Sequence, residues 1–422
     1  MLKFIIGAVA ALTPAAAGAE TIVIHAGRLI ADAASPARGA STVIVTDGRI
    51  ASVVDGHQPA VEGARLVDLK DKTVLPGLID AHVHLTGDPG TPFWQEAILT
   101  SEDGVAYGLK NARITLAAGF TTVRDLGAAP EAIYAVRDAI AAGLHPGPRV
   151  VAAGTAVSII GGHGDVSGFA PAVVKALEGN NTCTGPEACA ARVREFSRAG
   201  ANVIKITATG GVLSQQGRGL EAHFTDAELA AIVRTARSLG LKVAAHAHGA
   251  RGIEAAARAG VDSIDHGTFL DAAGLKAMQA SGSWYVPTLM AFQGISERLG
   301  KGVYTPTVEA KVRATLGTWG KGLNAAYKAG IPIGFGTDAG VFEHGRNGEE
   351  AALMVKYGGM SPRDVLISAT SGAARLLGVE AETGTIEAGK SADIIAVDGN
   401  PQSDATALTR VGFVMAAGRI LD

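Results

Sequence analysis

Residues 202–268 read NVIKITATGGVLSQQGRGLEAHFTDAELAAIVRTARSLGLKVAAHAHGARGIEAAARAGVDSIDHGT. Three short apolar runs, NVIKITA, KVAAHAHG and DSIDHGT, alternate with amphipathic stretches at 226–239 and 253–259. Strand–helix–strand alternation of this length predicts a parallel sheet, because each helix carries the chain back to start the next strand in the same direction. The texture continues on both sides. Upstream lie GLIDAHVHL with a helix at 105–118, TTVRDLG with 130–142, and RVVAAG with 186–199; downstream lie a helix at 272–280, SWYVPTLM with 309–329, and PIGFGTDAG followed by ATSGAARLLG. Eight strand–helix units predict an α/β fold closed as a (β/α)8 TIM-type barrel spanning residues 76–379. The stretch from 155 to about 185 is longer than a usual connection and rich in glycine, which suits an active-site loop.

The flanks differ. Residues 20–75 and 380–422 carry short runs such as TIVIHAGRLI, STVIVTDGRI and RVGFVMAAGRILD, broken by Gly, Asp and Pro. Neither fragment can bury its apolar face alone, so the two are expected to pair as a small composite β-sandwich. Residues 1–19, with Lys3, an apolar run and small residues Ala17 and Ala19 before Glu20, read as a secretory signal. The run is too short and too interrupted by Pro14 to read as a lasting membrane anchor.

Composition narrows the function. Of 422 residues only 18% are charged against ~25% in an average soluble protein, while 47% are hydrophobic and the mean hydropathy is +0.24, so most of the chain must be buried. Net charge is −3 and no Lys/Arg cluster tracks phosphates, which leaves nucleic-acid binding without an electrostatic basis. No G-x-S-x-G elbow or G-x-x-x-x-G-K-[ST] loop occurs, and the glycine-rich GGHGDVSG lacks the strand–turn–helix context of a dinucleotide site. The only cysteines, Cys183 and Cys189, lie close together, and an oxidising periplasmic or extracellular compartment would let them form a disulfide.

His82 and His84 stand two apart on a strand and therefore share a face. Lys205, His246, His266 and Asp338 fall at or near the C-terminal ends of other predicted strands, where barrel enzymes place their chemistry. Any one of them has an ordinary structural explanation. Six together do not, because clustered polar groups inside a closed barrel cost on the order of several kcal/mol unless paired or metal-bound. A divalent-metal site is the reading that accounts for all of them.

LPGLIDAHVHL, the strand lysine, HAHG, DHGTFLD, GTDAG, ATSGAARLLG and GTIEAGKSADIIAVDGNP together resemble the amidohydrolase superfamily, over nearly the whole chain after the signal. The chain is most similar to exported Xaa-Pro dipeptidase-like carboxypeptidases, a group that includes ochratoxin-hydrolysing enzymes. The resemblance implies a binuclear site: His82, His84 and Asp338 on one ion, His246 and His266 on the other, and Lys205 bridging both once carbon dioxide has converted its amine to a carbamate. Unmodified, a Lys with an ordinary pKa of ~10.4 is a cation and cannot be a ligand. Two divalent metals, zinc foremost, suit this mixed nitrogen and oxygen set.

His248 shares the strand face of His246 and is read as a substrate contact, with a hydrogen bond behind the ligands as the alternative. His163, on the glycine-rich loop, is a second substrate-binding candidate, against an exposed loop histidine. Arg218 is a weaker one. Asp338 is expected to act as general base and then to protonate the leaving nitrogen. The expected reaction is hydrolysis of the amide joining an acyl or aminoacyl group to a C-terminal amino acid, with a small molecule or short peptide as partner. A cyclic amide or imidazolone hydrolase is the alternative; an aromatic deaminase fits less well, and a catalytically silent binding protein is remote. The resembling group also implies a homo-oligomer, octamers included.

Overall fold

Strand-forming runs from the two ends of the chain meet in one sheet. The computed structural model describes residues 20–421 apart from 61, 90, 92 and 216–218, so the expected signal segment and Arg218 lie outside the described residues. In chain order the first strands are β1 (Thr21–Leu29), β2 (Ser41–Thr46), β3 (Arg49–Asp55) and β4 (Arg65–Pro76). Next come β5 (Leu78–Val83), β6 (Phe120–Asp125), β7 (Arg149–Ala152) and β8 (Val203–Thr207). The rest are β9 (Lys242–Ala247), β10 (Ser263–His266), β11 (Trp284–Val286), β12 (Ile394–Val397), β13 (Val411–Ala416) and β14 (Arg419–Ile420).

The terminal segments build a seven-stranded sheet in the order β14-β13-β12-β4-β1-β2-β3. Antiparallel pairing of β12 with β4, Ile394 opposite Pro76 and Val397 opposite Thr73, joins the two ends of the chain. Hydrogen bonding runs unbroken through all seven strands. The reason lies in the β1–β4 pair, which shifts register between Ala26 and Arg28 yet keeps pairing on both sides. Gly27 permits this, because a side chain there would collide with the Lys70 carbonyl. Alternate residues of β1, Ile22, Ile24 and Ala26, pack with Val43, Val45, Ile394 and Met415 in one apolar cluster, the face-alternation of a strand, while Val23 and His25 between them are buried on its other face.

The parallel strands form two further sheets, β5-β6-β7 and β11-β10-β9-β8. Backbone hydrogen bonds link them on both sides. Asn202 N donates to Ala152 O (2.8 Å) and Val157 N to Lys205 O (2.8 Å). On the other side, residues 331–339 lie between β11 and β5: Tyr285 N donates to Pro332 O (2.9 Å), Ala81 N to Phe335 O (2.8 Å) and Asp338 N to His82 O (2.7 Å). The expected strand PIGFGTDAG is thus extended but irregular. Pro332 has no N–H to give, and side chains at Gly334 and Gly336 would collide with Leu376 and Val286.

Helices follow most strands as the alternation predicts. Asp226–Ser238 begins with a reciprocal capping box between Thr225 and Glu228 and buries Leu229, Ile232, Val233 and Ala236, each Leu or Ile contributing ~1.5–3 kcal/mol. The helix expected over 309–329 is divided into Pro306–Thr315 and Lys321–Lys328, because Gly320 takes a left-handed φ of 67° against Tyr357. An additional helix, Leu289–Arg298, directly follows β11. In the long insertion, 171–177 is helical, and Cys183 and Cys189 are joined by a disulfide that fastens the end of this loop to the helix Pro186–Ala199.

Candidate active site

The residues singled out in the sequence converge at the C-terminal ends of the parallel strands. His82 and His84 close β5, Lys205 lies on β8, His246 on β9 and His266 at the end of β10, while Asp338 comes from the extended run before residue 340. His82, His84 and Asp338 each offer a ligand atom within 4.8 Å of the others, and His246, His248 and His266 form a second such group. All seven residues, Lys205 included, line one cavity of about 1000 Å³.

Four of the five histidines, His82 excepted, are aimed by a hydrogen bond at one ring nitrogen. His84 Nδ1 donates to Gly127 O (2.9 Å) and His246 Nε2 to Gly210 O (3.2 Å), while His248 Nδ1 pairs with Thr268 Oγ1 and His266 Nδ1 with Thr288 Oγ1, both at 2.7 Å. One nitrogen per ring therefore remains to carry a lone pair into the cavity. Burial pushes His82, His246 and His266 well below the ordinary histidine range and His248 to about 3, so these rings are neutral. Burial likewise pulls Lys205 down to about 8 against the attraction of Asp265 and Asp338. At Asp338 burial works upward, but His82 and His84 outweigh it and hold the carboxyl below its usual value.

Backbone strain gathers at the same place. His266, Thr288 and Asp338 have φ of 71°, 49° and 65°, a left-handed region that costs a non-glycine residue ~1–3 kcal/mol. Residues held in this region recur at functional sites, and three of them meet here.

His163 is brought to the site by the long loop. Its ring lies 4.2 Å from that of His246, centroid to centroid, and its Nδ1 pairs with Ser214 Oγ (3.1 Å). His248, expected above the ligands as a substrate contact, stands among them, its ring 4.6 Å from His246 and 4.9 Å from His266. The strand period that gave the two HAHG histidines one face carries both to one place.

Sequence reasoning passed over the layer beneath. Asp265, fully buried, lies 2.8 Å from His82 Nδ1, 3.4 Å from Arg124 Nη2 and 3.8 Å from Lys205 Nζ, and accepts from Ser263 Oγ at 2.7 Å. Arg124, also buried, donates through Nε to Ala81 O at 2.6 Å. Asp80 accepts from Thr337 Oγ1 (2.6 Å) and Asn347 Nδ2 (2.8 Å), so it anchors the segment that delivers Asp338. The available signal was a charge inside an otherwise apolar strand, as in TTVRDLG, DSIDHGT and GLIDAHVHL.

The sequence profile of the amidohydrolase family matches residues 73–421. The chain belongs to the amidohydrolase family. Ochratoxinase from Aspergillus niger is 32% identical over 411 residues, covering 92% of this chain and 83% of that protein. A Xaa-Pro dipeptidase solved with methionine in its active site superposes with a TM-score of 0.90 at 36% identity, covering 96% of this chain and all of the other. A prolidase solved with N-methylphosphonate-L-proline gives 0.85 at 29% identity, covering 95% and 99%. This amidohydrolase is therefore a hydrolytic enzyme of the dipeptidase-like group that includes ochratoxinase, and its family is generally metal-dependent.

Proposed function

We propose that the chain is a binuclear metal-dependent carboxypeptidase or dipeptidase that cleaves the amide bond to a C-terminal amino acid. Xaa-Pro dipeptides, N-acyl amino acids and ochratoxin-like amides are the substrate types. The two parallel sheets, linked by backbone hydrogen bonds on both sides, would form one closed (β/α)8 barrel around the site. The observation that carries the reading is the pair of ligand groups in one cavity, with Lys205 in the same lining. The residues fit divalent ions, zinc foremost, because each group offers three donors and the buried imidazoles are neutral. His82, His84 and Asp338 would hold one ion and His246 and His266 the other, with His248 within reach of the second. Lys205, as a carbamate, would bridge them; burial favours the neutral amine, whose lone pair can attack carbon dioxide and whose lost proton leaves the carbamate anion.

When bound, two such ions supply an acidified water and a polarised carbonyl. The protein does the rest. Asp338, kept ionised by His82 and His84, takes the proton of the attacking water and returns it to the departing nitrogen. Val212, Leu213, Phe292, Ile295 and Val341 give the cavity an apolar wall that excludes water and accepts an apolar side chain. His163 is a candidate donor to a free substrate carboxylate, and His248 is another in the tautomer whose Nδ1 accepts from Thr268 Oγ1 and whose Nε2 carries the proton. The disulfide between Cys183 and Cys189 suits an exported protein, and among the described residues no helix is long and apolar enough to cross a membrane.

A panel of Xaa-Pro dipeptides and N-acyl amino acids, each with a free or blocked carboxyl end, tests this, alongside metal analysis of the purified protein. Blocking removes a charge-assisted contact worth ~1.5–3 kcal/mol and should lower kcat/KM by roughly ten- to a hundredfold. Equal rates on both forms, or turnover of cyclic imides alone, would reject the carboxypeptidase reading.

A further inference from the structure

A second cavity, of about 580 Å³, opens at the opposite end of the parallel strands. Thr121 and Arg149 stand at the starts of β6 and β7, and the C-terminal hairpin β13–β14 contributes Arg419, so the cavity lies between the catalytic strands and the terminal sheet. Three arginines line it, and they differ in how far they are engaged. Arg137 is committed, donating to Asp138 Oδ1 (2.8 Å), Gly200 O (2.7 Å) and Asn202 Oδ1 (3.0 Å). Arg149 reaches Asp393 Oδ2 only at 3.4 Å, and its Nε is buried with no hydrogen-bond partner. Arg419 makes no side-chain hydrogen bond or ion pair with any described residue.

Thr121 adds a second orphan. Its side chain is 1% exposed and its hydroxyl is buried without a partner. Asp393, the one buried carboxylate in this lining, accepts from Ser391 Oγ (3.1 Å) and Ala417 N (2.7 Å), both at Oδ1, and turns Oδ2 toward Arg149 Nη2 at 3.4 Å, which leaves Arg419 and Thr121 unanswered. Beyond the single Asp393 oxygen near Arg149, the two buried donors and the exposed guanidinium of Arg419 have no acceptor among the described residues, and a charged acceptor would answer them.

We propose that this cavity binds a small oxyanion, a phosphate or a carboxylate, between Arg149 and Arg419, with the Thr121 hydroxyl as a further donor. Such a ligand bridges a catalytic strand and the terminal hairpin. Its effect falls on the stability of their docking, since the hydrolytic residues lie at the other end of the strands.

Calorimetric titration of the full chain with inorganic phosphate and with malonate, at constant ionic strength, tests the proposal. Saturable binding of at least one probe is expected, together with a rise in unfolding temperature and a tenfold or greater weakening in Arg419→Gln. Hydrolytic activity of that variant should stay at the wild-type level. Preference for phosphate identifies a phosphorylated ligand, and preference for malonate a carboxylated one. Arg149→Gln is the second variant; Arg419 lies on an exposed edge, so its replacement leaves folding intact even if loss of Arg149 does not. Absence of saturable binding at millimolar probe overturns the proposal. So does equal affinity in wild type and Arg419→Gln, which would place the anion at the catalytic end.

Discussion

Asp265 Oδ2 stands 2.8 Å from His82 Nδ1, close enough to fix the ring electrostatically although the two are out of hydrogen-bond alignment. A carboxylate on one imidazole nitrogen raises the basicity of the other, which here faces Asp338 at 3.6 Å. The same carboxylate answers the buried charge of Arg124.

Asp265→Asn should therefore fold while binding metal or turning over ~10–100-fold less well, the usual cost of removing a partner behind a ligand. Asp265→Ala should lose a further ~3–5 kcal/mol of stability, because Arg124 is then buried without a counter-charge. Metal titration followed by elemental analysis and chemical unfolding separates the two effects. Wild-type metal affinity in Asp265→Asn would remove Asp265 from the site.

Asp338 is asked to do more than hold an ion. Asp338→Asn keeps an oxygen donor of the same shape but cannot take up a proton, so it should retain the fold and much of the metal while turnover falls by ~10²–10⁴. Circular dichroism, metal content and kcat measured on one preparation decide it. Turnover within a few-fold of wild type assigns proton transfer elsewhere.

What could be read from the chain, and what could not, divides along the same residues. His82 with His84, and His246 with His248, were legible because a strand puts alternate residues on one face, and Lys205, His266 and Asp338 because strand ends repeat along the alternation. The Asp265–Arg124 pair was not, since β6 and β10 are 139 residues apart at the Arg124–Ser263 contact and no local pattern records which buried charges meet. The division of the 309–329 helix at Gly320 depends on its contact with Tyr357, which is likewise non-local. The register slip at Gly27, which keeps β1 paired with β4 on both sides of it, is a non-local feature of the same kind. His248 was separated from His246 by resemblance, where the strand geometry alone would have kept them together.

Glu350 gives a pH dependence. It is fully buried, accepts from the backbone N–H groups of Leu289 (2.8 Å) and Met290 (2.6 Å), and is pushed by burial up to about 8 despite those bonds. In the unfolded chain a Glu titrates near ~4.3, so between there and about 8 the folded state holds the extra proton. Stability must then fall as pH rises through that window, by at most ~1.4 kcal/mol per pH unit from this group. Glu350→Gln cannot titrate: it should cost on the order of 1 kcal/mol through one lost acceptor and flatten the slope. Unfolding midpoints of chelator-treated wild type and variant from pH 5 to 8 provide the comparison, and parallel curves would show Glu350 to be ionised throughout.

The disulfide should matter to the site through the loop it holds. Cys183 N donates to Ser158 O (3.0 Å) and Ser158 N to Asn181 O (3.1 Å), and Asn181 Nδ2 donates to Ala156 O (3.1 Å) and Gly164 O (2.7 Å), next to His163. Cutting the bridge frees a short loop, worth ~2 kcal/mol by chain entropy. That is a minor share of the stability of a chain this size, so Cys183→Ser should remain folded. The strain falls on the 155–185 segment and hence on the placing of His163 over the cavity. KM for a free-carboxylate substrate should then rise more than kcat falls, with metal content unchanged, whereas a fault at the ligands would lower kcat and metal together. Steady-state kinetics with elemental analysis of Cys183→Ser and of wild type under reductant tells these apart; identical KM values in all three would show that the loop holds His163 without the bridge.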